Sequence, residues 1–218
     1  MVFQGTLFMN KDSLEKATVV LLVATLFVMA FNALQISDLK SSYSIQAASI
    51  KTDVSVIPKG APDVYGSELG VKFDDISSSA PQKTDDTIKK LAQLDLNINL
   101  DKDQLVRYIN IASQISCEYC CDAESIIFKN GDPACGCAHS YAMRGVAKYL
   151  ITKHGSEYTD DQILEELGKW KTLFFPSQIT AKADILQSKG VELNYINLAS
   201  NKYRGLEKGA EGGMVGGC

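Results

Sequence analysis

The first long apolar run of the chain is continuous rather than periodic. From Ala17 to Leu34 it contains Val19, Val20, Leu21, Leu22, Val23, Leu26, Phe27, Val28, Met29 and Phe31, and no charged residue occurs between Ala17 and Ser37. A helix over 17–37 would be apolar on every side and extend roughly 30 Å, the thickness of the hydrocarbon core of a bilayer. The pattern predicts a single N-terminal transmembrane helix. It reads as an uncleaved signal anchor, because the apolar run outlasts the h-region of a cleaved signal peptide and continues past the small-residue site Val28-Met29-Ala30. Lys11 and Lys16 precede the run and Lys40 and Lys51 follow it. With the terminal amine counted, this balance leans towards a cytoplasmic tail over 1–16 and an extracytoplasmic main domain at the cell membrane.

After Asp38 the pattern turns irregular. Ser41-Ser42, Pro58-Lys59-Gly60-Ala61-Pro62 and Ser77-Ser78-Ser79-Ala80-Pro81 mark residues 38–100 as a polar linker with little structure. A short strand through Val54, Val56 and Ile57 and a short helix over 85–94 are the exceptions. Helical periodicity begins at Asp101, which stands three residues before Gln104 as a capping pair. Leu105, Ile109, Ala112 and Ile115 follow, so a helix is expected over 102–117, running into the first cysteines. Residues 125–133 read as a short strand ending in an Asn130-Gly131 turn.

Three more helices are expected. One covers 137–153, with Ala138, Ala142, Val146, Tyr149 and Leu150 inward. The next starts at Thr159 behind a Thr-Asp-Asp-Gln capping box and turns Ile163, Leu164, Leu167, Trp170 and Phe174 inward until Pro176. The last covers 177–189 and ends at Gly190, and a final strand is expected over 191–198. The expected fold class is therefore mainly α, with about four helices and a small β-hairpin or strand pair at the cysteine cluster, in a domain over 101–200. A flexible Gly-rich tail over 201–218 follows. Glu165, Glu166, Lys169 and Lys171 read as solvated helix faces, and His154 as a surface residue at a helix end.

Charge removes one class of partner. The net charge of -4 and pI of 5.3 supply no basic stripe for phosphates, so nucleic acid is not expected. The candidate chemistry lies in residues 117–139, which hold Cys117, Cys120, Cys121, Cys135, Cys137 and His139. Cys117 and Cys120 or Cys121 would share a face of a last helical turn. Cys135 and Cys137 bracket Gly136 in a tight turn, and His139 and Met143 are four apart on the next helix. Two ligands from each segment would make a tetrahedral zinc site. The same soft donors suit Cu(I), and four cysteines would hold an iron-sulfur cluster.

Two rival uses of the thiols stand beside metal binding. An even count of six cysteines suits a disulfide-stapled interaction module. Cys117-Glu-Tyr-Cys120 also has the C-x-x-C form of a membrane-bound thiol-disulfide oxidoreductase. Against exchange, Glu118 and Asp122 flank the pair at the expected negative end of a helix, which disfavours a thiolate. No phosphate loop or nucleophile elbow is present, so no catalytic residue is assigned. A structural metal site would leave contact with another envelope protein as the domain's task. An exchangeable site would give Met143, Met214 and Cys218 a role in metal transfer.

The stretch Ser116-Cys-Glu-Tyr-Cys-Cys121, the segment through Trp170-Lys-Thr-Leu-Phe-Phe-Pro176 and the terminal Met-Val-Gly-Gly-Cys resemble those of membrane-anchored cysteine-rich proteins of small-genome archaea. Cys135-Gly136-Cys137 and His139 are similar to part of a bacterial envelope family named for its Pro-Cys-Tyr-Cys-Gly-Cys motif. Pro133 and Ala134 stand where that motif has Cys and Tyr. Neither resemblance implies an activity.

Overall fold

The computed structural model describes residues 56–217, together with residues 21, 22, 24, 25 and 29. The chain divides into two units, Met1–Val54 and Ser55–Cys218. In the first, the five described residues are helical, and the Thr25 hydroxyl bonds the Leu21 and Leu22 carbonyls. No helix among the described residues is long and apolar enough to cross a membrane, and the rest of the expected 17–37 span lies outside them.

The second unit is built from seven α-helices: α1 (Tyr65–Leu69), α2 (Pro81–Asn97), α3 (Lys102–Ala112), α4 (Ala138–Lys153), α5 (Asp160–Phe174), α6 (Pro176–Ser188) and α7 (Tyr195–Ala199). Short 3₁₀ turns cover Phe73–Asp75 and Asn201–Tyr203. The expectation of four helices and a strand pair is corrected on both counts, because there are seven helices and no strand among the described residues.

Each miss has a local cause. At the Asn130-Gly131 turn the chain does reverse, with Gly131 at φ 90 and Phe128 N–H on the Asp132 carbonyl at 2.7 Å. Pairing stops at one bridge between Ile127 and Pro133, since proline has no N–H to continue a ladder. In place of a strand over 191–198, the Asn194 side chain accepts the Asn197 N–H at 2.8 Å and starts α7. Helix α3 stops at Ala112 rather than 117. Beyond it Asn201 N–H takes the Gln114 carbonyl at 2.7 Å and Ile126 N–H takes the Ile115 carbonyl at 3.0 Å, so the chain leaves the helix in extended form.

The expected polar linker is corrected from residue 56 onward. Pro81 opens α2 at a position where its missing N–H costs nothing. One face of α2 buries Thr84, Thr87, Ile88, Leu91 and Asp95. It crosses α4 closely at Gly145, where a Cβ would lie 2.0 Å from the Leu91 carbonyl oxygen. Tyr65 and Phe73 join the same core, with the Tyr65 hydroxyl accepting from Trp170 Nε1 at 2.7 Å and donating to Glu166 at 2.8 Å. The tail is also partly ordered into the body. Val215 is buried, and its N–H bonds the Phe174 carbonyl at 2.8 Å.

The capping boxes read from the sequence are present, Asp101 with Gln104 and Thr159 with Gln162. The reading of Glu166 and Lys171 as solvated charges is overturned, since both are buried. Lys171 lies eight residues after Ile163, on the apolar stripe of α5.

Candidate metal centre

The irregular segment 113–137 carries the cysteines and is held from two sides. Asn201 grips its start, accepting from the Ser116 hydroxyl at 2.7 Å and donating to the Glu124 carbonyl at 2.9 Å. The backbone then turns twice through the left-handed region, at Glu118 (φ 51) and Asp122 (φ 48). At the first turn Tyr119 N–H reaches the Cys117 carbonyl at 2.5 Å. This conformation is uncommon for residues with side chains, so something must hold it.

Buried charge does so. The Glu118 carboxylate accepts from Lys171 Nζ at 2.9 Å and from Gly205 N–H at 2.8 Å, with Lys182 Nζ at 3.5 Å. Lys182 also pairs with Glu207 at 3.2 Å, and Glu207 accepts the Tyr119 hydroxyl at 2.5 Å. Both ammonium groups are fully buried. Burial alone would raise the Glu118 carboxyl, but Lys171 and Lys182 outweigh it and hold it below its usual range. Burial pushes Lys171 down to about 8 against the opposing pull of Glu118, and Lys182 adds to the fall.

The second limb is anchored by Arg144 of α4. Its Nε donates to Asp95 at 2.7 Å, and its Nη1 donates to the carbonyls of Ile126 at 3.2 Å and Cys135 at 2.9 Å. The guanidinium stacks on Tyr141, 4.3 Å from the ring centre.

Between these anchors the expected ligands separate into two groups. Cys121 and Cys135 form a disulfide. Cys117, Cys120 and Cys137 stand outside that bond, with their sulfurs all within 4.8 Å of one another. Cys117 is buried, and its sulfur lies 3.3 Å from that of Cys137. Cys137 is the N-cap of α4, and its sulfur accepts the Ser140 N–H at 3.3 Å. The hydrogen bond shared with Cys117 holds the Cys137 thiol below its usual range; burial works against this, and His139 and Ser140 add to the lowering. The same bond, helped by burial, drives the Cys117 thiol upward. Cys137 thus sits at a helix N-terminus with a second sulfur and the Ser140 N–H beside it, the kind of setting that stabilises sulfur anions.

His139 belongs to neither sulfur group. It is buried between Phe174 and Phe175, with centroids at 4.6 and 5.1 Å, and its Nε2 donates to the Val215 carbonyl at 3.0 Å. It stands two residues after Cys137 in the first turn of α4 and helps lower that thiol, so it supports a candidate ligand from behind. Met143 is buried in the core and Met214 is exposed, while Cys218 lies outside the described residues. The sequence reading missed Ser140, Arg144, Lys171 and Lys182. Lys171 and Lys182 were detectable as charges standing on the apolar stripes of α5 and α6.

No family model matches the chain, and no curated protein or solved structure matches it either.

Proposed function

We propose that the protein binds a thiophilic metal ion through Cys117, Cys120 and Cys137, with Cu(I) favoured over zinc. The observation that carries this reading is the convergence of three cysteine sulfurs from two chain segments, all within 4.8 Å of one another. A metal–sulfur bond of about 2.3 Å sets trigonal ligands roughly 4 Å apart, close to this spacing. Three thiolates suit Cu(I), whereas a closed structural zinc site takes four ligands and an iron-sulfur cluster takes four cysteines. Cys121 and Cys135 are tied to each other and His139 is turned to Val215, so none of them completes a fourfold set in this arrangement.

Metal entry displaces the thiol protons, and the Cys137 position at the start of α4 favours the anion that results. The test is anaerobic titration of the full metal-free chain with Cu(I) against a competing chromophoric chelator. One Cu(I) per chain, lost in Cys137→Ser and in Cys120→Ser and kept in His139→Gln, is expected. Failure to hold copper against the chelator, or undiminished binding by Cys137→Ser, overturns the proposal. Zinc retained at the same stoichiometry in place of copper would reverse the order of the two metals.

A further inference from the structure

Cys137 is the one sulfur that belongs to both groups. It lies 3.3 Å from Cys117 on one side, and its sulfur is within 4.8 Å of both disulfide sulfurs, those of Cys121 and Cys135, on the other. The two pairs differ in access. Cys121 is exposed and Cys135 buried, whereas Cys117 is sealed in the core. A thiol placed between a buried thiol and a surface disulfide is the arrangement needed for exchange by successive sulfur attack.

We propose that the chain is an internal thiol–disulfide relay, in which the inner pair Cys117 and Cys137 passes two electrons through Cys137 to the surface disulfide Cys121–Cys135. In the first step the Cys137 sulfur attacks the Cys135 sulfur. The Cys121–Cys135 bond breaks, Cys121 leaves as a thiolate into solvent, and a Cys135–Cys137 bond forms. In the second step the Cys117 sulfur attacks Cys137, the Cys135–Cys137 bond breaks, and the proton from Cys117 ends on Cys135.

The inner pair is then oxidised to a Cys117–Cys137 disulfide, and the surface pair is reduced to one thiolate and one thiol. Atoms, charge and the electron pair balance without an external reagent. The reduced surface pair is placed to reduce an accessible disulfide on a partner protein, with Cys121 as its attacking sulfur. That step regenerates the Cys121–Cys135 bond and releases the partner's dithiol.

The segments next to the surface pair leave room for such a substrate. An open groove of about 1020 Å³ is lined by Ala123, Ser125, Ile127, Phe128 and Ala134, so it runs along both strands of chain that the disulfide joins. The inference does not depend on metal binding, although the two compete, because a Cys117–Cys137 disulfide removes two of the three proposed ligands.

The experiment uses the full chain in metal-free buffer with chelator, incubated without reductant, acid-quenched over time, alkylated and mapped by mass spectrometry. A Cys117–Cys137 disulfide with Cys121 and Cys135 alkylated is expected to appear, and to reach the same fraction from freshly reduced protein given one oxidising equivalent. Cys137→Ser should hold the Cys121–Cys135 bond unchanged. Cys117→Ser should stop after the first step, with Cys135–Cys137 joined and Cys121 alkylated. Cys121–Cys135 as the sole pairing at all times in both the unaltered chain and Cys117→Ser overturns the relay. Copper titration of the same preparation reads the metal site independently, so either proposal can fail alone.

Discussion

Two buried charge networks grip the cysteine segment, one at each limb, and they are built on different cations. At the Cys135 limb, Arg144 reaches Asp95 and two backbone carbonyls, and Lys148 adds a second contact to Asp95 at 2.8 Å. At the Cys117 limb, Lys171 and Lys182 share Glu118 and Glu207. A guanidinium keeps its charge at any ordinary pH, whereas a buried ammonium can lose its proton. The first network can only hold geometry. The second, with Lys171 brought down to about 8 beside Cys117, can change its charge near neutral pH. The limb that carries Cys117 and Cys120 is therefore the electrically adjustable one.

Removing a carboxylate from each network breaks this comparison most directly. Asp95→Asn leaves the fully buried Arg144 charged, with its Nη2 already without a hydrogen-bond partner. A stranded buried charge of this kind costs about 3–5 kcal/mol. Urea unfolding of the variant should show a larger loss than Glu118→Gln or His154→Gln, and a loss equal to that of a surface substitution would refute the fixed-clamp reading.

Glu118→Gln strands Lys171 in the same way, but the ammonium can escape by deprotonating. Its folded value of about 8 stands only about one unit above neutral, so the cost at pH 7 should be on the order of 1–2 kcal/mol. The same unfolding measurement decides the matter. If Glu118→Gln proves as damaging as Asp95→Asn, the lysine is not adjustable and the contrast between the limbs disappears.

The contrast also explains what could be read from the chain beforehand. Capping boxes at Asp101 and Thr159 are local, so the starts of α3 and α5 were legible. The gathering of cysteines over 117–139 was legible for the same reason. Their division was not. Cys120 and Cys121 are neighbours, yet one sulfur gathers with those of Cys117 and Cys137 and the other is bonded to Cys135. The positive φ values at Glu118 and Asp122 redirect the chain between them, and those depend on Lys171, Gly205 and Arg204, which are distant in sequence.

Helix α2 was read only as a short helix over 85–94 in a linker, because its buried face carries Thr84, Thr87 and Asp95 beside Ile88 and Leu91, and only tertiary partners make those polar positions interior. The Thr84 hydroxyl bonds the Asp75 carbonyl at 3.0 Å, and Asp95 waits for Arg144.

A third ionic cluster tests how far burial, rather than charge pairing itself, sets these effects. His154 caps α4 with its N–H on the Leu150 carbonyl, and its ring lies 2.9 Å from Glu68 and 3.1 Å from Glu157. Burial would lower the His154 pKa, but the two carboxylates outweigh it and raise it above 6.5. Glu68 is lowered from 4.5, first by the Tyr149 hydroxyl and then by His154.

The signs follow from linkage. A raised histidine contributes stability that is complete below 6.5 and is lost as pH rises through its folded value. A lowered carboxyl contributes stability that is present above 4.5 and is lost as pH falls through its folded value. The stability difference between the unaltered chain and His154→Gln should therefore be greatest between 4.5 and 6.5 and shrink on either side. Because both glutamates are substantially exposed, the whole effect should be the smallest of the three. Melting curves of both proteins across this range measure it. A difference that keeps growing in alkaline buffer would mean that the imidazole acts by packing against Tyr149 and Tyr158 rather than by charge.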